Sequence, residues 1–443
     1  MSSFEPAIFS LNSRFDGDHL VIGDVSALDL AEQFGTPLYV LDQADFFSRA
    51  VSWKSALEEA FGPNAGTVYY AAKSFISKEI VRWIHTIGIG LDVCSGGELA
   101  VAQAVDFPAE RIEMHGNNKS EAEIRRGIEF GVGTIVIDSF IEIERIARIA
   151  QELGTVQKVL IRVTPGVEAH THEFISTAHE DVKFGFSLAS GAAWQAIELI
   201  KKYPSLELLG LHSHIGSQIF NSDGFAAAAK KLIQLLAQYR DTFKKELPHL
   251  DLGGGYGIAY VPGEVTLNPF VVMKELAQVV IRECATANIK VPQISIEPGR
   301  AIVGPTTTTL YTVGTTKVVE LEGGLSRRYV SVDGGMSDNI RPALYGAKNF
   351  AIIANRNSSA EQVNSRVVGK HCETGDILIR EIELASDLGP GDLLAVPATG
   401  AYGRSMASNY NHLPRPAVVA VIDGKARVIV RRESEADLLA LEL

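Results

Sequence analysis

The stretch TVYYAAKSFISKEIVRWIHTIGIGLDVC (67–94) decides the fold. It opens and closes on short runs rich in Val, Ile, Leu and aromatics, TVYYAAK (67–73) and GIGLDVC (88–94), with a longer segment between them. Apolar runs alternating with segments of helical period are the signature of βα units. The alternation continues through RIEMHG (111–116), TIVID (134–138), KVLIRV (158–163), LELLGLHSH (206–214), HLDLGG (249–254) and QISIEP (293–298). Helical patterns occupy 96–105, 118–131, 139–153, 189–203, 223–245 and 269–287, and a further helix over 43–61 precedes the first strand.

Eight such strands predict an α/β architecture, a closed (β/α)8 barrel. An open doubly wound sheet of this size usually carries a G-x-G-x-x-G loop after its first strand, and none follows YYAAK. Barrel enzymes place their chemistry at the C-terminal ends of the strands, where Lys73, Asp92, His115, Asp138, His214, Gly253–Gly255 and Glu297 gather. After residue 300 the texture changes to β-branched runs such as RYVSVDGG, PAVVAVID and KARVIVRRE, broken by Gly, Pro and Asn, which predicts a C-terminal antiparallel β domain. HLVIG and TPLYVLD, ahead of the barrel, are expected to complete it, giving a β domain over 1–41 and 301–443 around a barrel over 42–300. RNSSAEQVNSR (356–366) is polar enough to be read as a loop.

Composition narrows the function. The chain has 443 residues, 46% hydrophobic and 21% charged, and suits two or three packed domains. A formal net charge of -12 argues against nucleic-acid and anionic-membrane partners and favours small-molecule work. The start, MSSFEP, carries no basic and apolar leader, and no apolar run is long enough to span a bilayer, so a cytoplasmic location is expected. Cys94, Cys284 and Cys372 are too few for a disulfide framework.

Lys73 at the end of an apolar strand is either a desolvated amine biased toward its nucleophilic form or a lysine reaching out to water. His212 and His214, two residues apart, share one strand face and suit stacking on a ligand, metal binding or a structural role. GSQ (216–218), GGGYG (253–257) and EPGR (297–300) place small residues where backbone N–H groups approach a phosphate closely, the last two in the loops after the final strands. Glu297 is costly at the end of an apolar strand unless a cation meets it, either Arg300 or a protonated ring nitrogen. HCETGD (371–376) sets Cys372 in a polar turn suited to proton transfer, whereas Cys94 and Cys284 read as core. Arg341 and Tyr345, four residues apart, form a possible anion clamp. His170, His172 and His179 read as a solvated loop rather than a metal site, and no resident metal is expected.

Taken in order, YYAAKSF, LDVCSGGEL, HGNNKS, LHSHIGSQ, LDLGGGYG, EPGR, RPALYGA, HCETGD and GAYGRSMASNYN span residues 69–411. Together they resemble the diaminopimelate decarboxylases, within the pyridoxal-phosphate-dependent barrel decarboxylases that are similar to alanine racemase. CETGD stands where CESGD is usual, and Ser213 where a Cys is common.

The resemblance implies pyridoxal 5'-phosphate as cofactor, Lys73 as the Schiff-base lysine, His214 stacked on the ring and Glu297 paired with the ring nitrogen. It places Asp92, Ser217, Gly254, Gly255, Pro298, Gly299, Arg300 and Tyr402 around the cofactor. Arg300, Arg341, Tyr345, Glu373 and Tyr402 would hold an amino-acid substrate, and Cys372 would donate the proton. It further implies a homodimer in which Cys372 and Glu373 serve the partner's site. The implied reaction converts meso-2,6-diaminopimelate to L-lysine and CO2. Arginine, ornithine and carboxynorspermidine decarboxylases share the cofactor apparatus and are the near alternatives. A racemase pairs the ring nitrogen with arginine and needs a second base. A metal-dependent barrel hydrolase using His212 and His214 is the alternative of another class, and a catalytically dead pyridoxal-binding protein sits poorly with Lys73, Cys372 and Glu297 all present.

Overall fold

The computed structural model describes residues 4–167, 183–324 and 326–443, so His170, His172 and His179 lie outside the described residues. The chain divides into two compact units, Ala50–Gly257 with Leu267–Arg300, and Met1–Arg49 with Ile258–Thr266 and Ala301–Leu443. The division falls after Arg49 rather than after residue 41, and it assigns the segment Ile258–Thr266, inside the expected barrel range, to the second of these units.

The first unit is the barrel. Its strands are β1 (Gly66–Ala71), β2 (Gly90–Val93), β3 (Ile112–Met114), β4 (Thr134–Ile137), β5 (Gln157–Thr164), β6 (Leu206–His212), β7 (His249–Asp251) and β8 (Gln293–Ile296). Each pairs in parallel with the next, and β8 returns to β1 to close the ring. The short strand Phe186–Ser187 adds in parallel to β5. β2, β3 and β4 are buried along their whole length, as strands covered on both sides must be.

The helices between strands begin and end where local chemistry dictates. Ser77 caps Lys78–Ile87 by accepting the Ile80 N–H, and Gly88, at φ 81°, ends it in the left-handed region that glycine enters without strain. Ser120 and Glu123 form a reciprocal capping box at Glu121–Phe130. Among the described residues no helix is long and apolar enough to cross a membrane.

One buried ion pair organises the loop after β3. Lys119 Nζ meets Glu142 Oε1 at 2.9 Å and donates to the carbonyls of Gly116 at 2.6 Å and Val136 at 2.8 Å. Glu142 in turn accepts the Asp138 N–H at 2.7 Å. The ends of β3 and β4, with His115 and Asp138 just beyond them, are thus tied together.

The second unit is a mixed sheet, not the purely antiparallel one expected. Its order is Ile377–Ala385, Gln362–Val368, Ser326–Val332, Thr307–Glu320, Leu38–Asp42, Ala417–Ile422, Lys425–Val430, with Leu393–Val396 attached to Thr307–Glu320 and Ile352–Ile353 attached to Leu393–Val396. Ser326–Val332 runs parallel to Gln362–Val368, and Leu38–Asp42 parallel to Ala417–Ile422. Both pairs are joined by long connections, which allow a parallel return that a tight hairpin forbids. β-branched composition reports a strand and is silent on its direction. TPLYVLD supplies an inner strand of this sheet, whereas HLVIG joins a separate three-stranded antiparallel sheet. The segment read as a loop at 356–366 is one only at its start, because Gln362–Val368 is a strand whose buried Ser365 and Val367 alternate with less buried neighbours. Two apolar clusters fill this unit, one around Leu38, Val40 and Leu310, the other around Tyr311, Val330 and Leu394.

Removing one member of a buried ion pair leaves the other charge uncompensated. Glu142→Ala is therefore expected to cost about 3 kcal/mol, read as a lowered urea midpoint of the full chain. An unchanged midpoint would show that Lys119 finds other partners.

Candidate active site

The barrel strands deliver ionisable side chains to one end. β1 stops at Ala71, and a single turn over Ala72–Ser74, closed by the Ser74 hydroxyl donating to the Ala71 carbonyl at 2.7 Å, carries Lys73 onto the rim. Its side chain is 38% exposed, between the desolvated and the water-reaching alternatives that the sequence left open. Lys73 Nζ lies 4.0 Å from Asp92 Oδ2. Asp92 is fully buried at the end of β2, and burial, reinforced by Glu297 and opposed by Lys73, pushes its pKa up to about 7.

Glu297, immediately after β8, is 3% exposed. Its Oε1 is 3.0 Å from His212 Nε2 and 3.3 Å from His115 Nε2, and His115 Nε2 also lies 3.4 Å from Glu113 and 3.7 Å from Asp92. Burial raises the Glu297 pKa while Lys73 and Arg162 restrain it. Glu113, Asp251 and Arg162 complete the network and went unnoticed in the sequence. Their signal was available, since each is a charge within a strand that is otherwise largely apolar: RIEMHG, HLDLGG and KVLIRV. The register that pairs Asp92 with Glu113, and His212 with both Arg162 and Asp251, brings them to one level.

The two histidines of LHSHIGSQ do different things. β6 ends at His212, which turns inward to Glu297, while His214 lies beyond the strand and accepts the Gly254 N–H at Nδ1, 3.1 Å away. Burial, then Lys73 and Arg162, hold His214 well below the usual histidine range, so its ring is neutral. The expected shared face for His212 and His214 is lost because the strand has already ended. The clusters of potential metal-ligating atoms among the described residues are His115, His212 and Glu297, and Glu113, His249 and Asp251; His214 belongs to neither. Cys94, read as core, is only half-buried, with Sγ 3.7 Å from Asp92 Oδ1; burial and that carboxylate raise its pKa well above the usual range. Cys284 is buried.

Glycines bring the loops at this end together backbone to backbone. A Cβ on Gly254 would lie 2.2 Å from the Glu297 carbonyl, one on Gly255 2.2 Å from the Gly216 carbonyl, and one on Gly299 2.7 Å from the Ala71 Cβ. Gly253 donates its N–H to Asp251 Oδ1 at 2.6 Å, and Arg300 Nη2 donates to Ser217 Oγ at 2.9 Å. Ser217, Gly254, Gly255, Gly299 and Arg300 lie together at this end, with Pro298 between Glu297 and Gly299. This end offers a guanidinium, a hydroxyl and close backbone for an anion, and a buried carboxylate for a protonated nitrogen, the donor set that a phosphorylated pyridine requires.

The remaining expected residues lie in the β unit. Arg341 is buried, with its guanidinium 4.1 Å from the centre of the Tyr260 ring, while Tyr345 and Tyr402 are half-buried. Tyr402 sits at φ 59°, a left-handed conformation that only a well-determined loop imposes on such a residue. Cys372 and Glu373 are exposed in a turn anchored by His371 and Asp376, whose Nδ1 and Oδ2 are 2.9 Å apart, and the Cys372 N–H donates to Asn411 Oδ1 at 3.0 Å.

Asp92 gives the site a pH signature. Its carboxyl keeps its proton to about pH 7 when folded and loses it near 3.8 when unfolded, so the folded chain binds the extra proton between these values. Its contribution to stability therefore falls as pH rises from about 4 to about 7 and is flat above. Asp92→Asn is expected to gain stability relative to the parent apoprotein across that window, measured as urea midpoints at several pH values. A pH-independent offset would show that Asp92 does not titrate there.

Residues 43–304 match the family described as pyridoxal-dependent decarboxylase, pyridoxal binding domain. The diaminopimelate decarboxylase of Mycobacterium tuberculosis is 51% identical over 443 residues, covering 99% of this chain and 98% of that protein. That of Bacillus subtilis is 48% identical over 425 residues, covering 96% and 95%. The solved diaminopimelate decarboxylase of Helicobacter pylori, complexed with L-lysine, superposes with a TM-score of 0.83 at 31% identity over 94% of this chain and 98% of that one. By sequence, fold and the residues gathered at the barrel end, the chain belongs to the diaminopimelate decarboxylase family of pyridoxal-dependent enzymes.

Proposed function

We propose that the protein decarboxylates meso-2,6-diaminopimelate to L-lysine and CO2 with pyridoxal 5'-phosphate, as a cytoplasmic homodimer. The observation that carries this reading is the buried Glu297 carboxylate, braced by His212 at 3.0 Å, in a chain matched over nearly its whole length by proteins named diaminopimelate decarboxylase.

When bound, pyridoxal phosphate supplies an electron sink for the pair left behind as CO2 departs. The protein supplies the rest. Lys73 holds the cofactor through its amine, with Asp92 beside it. Ser217, Gly254, Gly255, Pro298, Gly299 and Arg300 hold the phosphate. Glu297 would keep a proton on the ring nitrogen, and the neutral His214 would present a flat face that does not compete for that charge. Tyr402 touches cofactor and substrate.

Diaminopimelate carries a carboxylate and an ammonium at each end. Arg300 and Arg341 meet the distal carboxylate, Glu373 the distal ammonium, and Tyr345 closes the clamp. The Cα–carboxylate bond breaks, its electron pair stays on Cα, and the Cys372 thiol gives Cα a proton that solvent then restores. Cys372 and Glu373 act in the partner's site, which a turn exposed on the chain's own surface suits.

The decisive test is product and spectrum together. The purified protein is expected to carry a visible band that borohydride bleaches, leaving the label on Lys73, and to release CO2 from meso-diaminopimelate with L-lysine as co-product. L-lysine, L-ornithine and L-arginine leave the arginine clamp unpaired and are expected to react at least ~10⁴-fold more slowly in kcat/KM. Comparable values for ornithine or arginine would move the assignment to a neighbouring decarboxylase.

Mixing inactive Lys73→Ala with inactive Cys372→Ala is expected to restore activity, because one interface of the mixed dimer keeps both side chains intact. No recovery in demonstrated heterodimers would place both residues in a single chain's site.

A further inference from the structure

His212 is singled out by the sequence yet unused by the mechanism above. It is the last residue of β6, fully buried, with its ring edge-on to His115 at 4.9 Å and 70°. Its Nε2 lies 3.0 Å from Glu297 Oε1, the one side-chain hydrogen bond that reaches the Glu297 carboxylate among the described residues. His115 Nε2 comes within 3.3 Å of the same oxygen without hydrogen-bonding it.

The protonation pattern follows from burial. Desolvation, with Arg162, Lys73 and Lys119 nearby, holds His212 well below the usual histidine range, so the ring carries a single N–H. Nδ1 has no partner among the described residues. A buried N–H without an acceptor costs more than a bare lone pair, so the hydrogen sits on Nε2 and Nδ1 is left unprotonated.

A neutral donor suits this position for a reason of charge. A lysine or arginine would orient Glu297 equally well but would cancel its charge, and a protonated ring nitrogen would then meet a neutral pair. A neutral imidazole fixes the direction of the carboxylate and leaves its charge available. Asp92, Glu113 and Asp251 are buried nearby, so a carboxylate without a donor would be pressed to take up a proton instead.

We propose that His212 is the positioning residue for Glu297: its Nε2–H aims the carboxylate, and the site's preference for a cofactor with a protonatable ring nitrogen depends on that bond. The inference rests on the assignment of Glu297 to the ring nitrogen.

The test compares two ligands on the full-length apoprotein prepared from the holoenzyme: pyridoxal phosphate, and its 1-deaza analogue, in which CH replaces the ring nitrogen. Leucine at position 212 fills the space without donating, and glutamine places an N–H near the lost Nε2. His212→Leu is expected to weaken pyridoxal phosphate binding by ~10-fold or more, as loss of a hydrogen bond to a charged group does, while the Kd of the deaza analogue stays unchanged. His212→Gln is expected to restore the difference. Should His212→Leu fail to fold, His212→Asn, too short to reach Glu297, is expected to show the same selective loss.

Equal losses for both ligands, or none, would overturn the role of His212 while leaving Glu297's assignment intact, provided Glu297→Gln weakens pyridoxal phosphate alone. If Glu297→Gln fails to discriminate the ligands, the assignment of Glu297 falls, and the inference with it.

Discussion

A carboxylate withdrawn from water at the end of a barrel strand is the constraint to which the rest of the barrel end responds. Glu297 alone would be unfavourable, and Asp92, Glu113 and Asp251 buried close by deepen the problem. The barrel answers with different devices at different distances. His212 supplies a neutral donor, Lys73 and Arg162 supply positive potential, and the Gly253 N–H meets one oxygen of Asp251. The buried charges are thus met by unlike means: a neutral donor, positive potential and a backbone N–H.

The β unit solves a different problem with similar means. Asp376 accepts the Met336 N–H at 2.7 Å and the His371 N–H at 2.9 Å, so one buried carboxylate ties the loop that leads to Arg341 to the turn that bears Cys372. A Cβ on Gly335 or Gly369 would lie 2.5 Å or 2.2 Å from that carboxylate. Asp338 holds the same loop through the Gly335 N–H at 2.8 Å and through Tyr311. The turn presenting Cys372 is open to solvent, yet its base is fixed from within.

Much of this was legible in the residues because barrel strands are read from local apolar runs. All eight runs, TVYYAAK to QISIEP, overlap observed strands. Strand direction in the β unit was not legible, because direction is set by connections between distant segments rather than by composition. The strand Gln362–Val368 was hidden by polar residues on its less buried face. Among the site residues, glycine loops and the terminal Lys73 and Glu297 stand out by position, whereas the contact of Arg300 with Ser217 is visible only in the fold. Glu113, Arg162 and Asp251 did not stand out, because one charge within an apolar strand looks like a side chain turned to solvent until ring closure shows that both of its faces are covered. The residues left open whether Lys73 is desolvated or reaches water, because that depends on where the strand stops; the turn after Ala71 leaves its side chain 38% exposed.

The pairing of β8 with β1 also has a consequence for how the protein comes into being. Lys73 and Glu297 follow the first and last strands of the ring, so they are neighbours in space and nearly as far apart along the barrel sequence as two residues can be. A nascent chain that has exposed β1 to β7 already displays the lysine, the His212 ring and the first glycine loop, but has neither the carboxylate nor the arginine at Ser217. The charge network at the barrel end is therefore completed only by the last stitch of the ring, when QISIEPGR is in place beside the first strand.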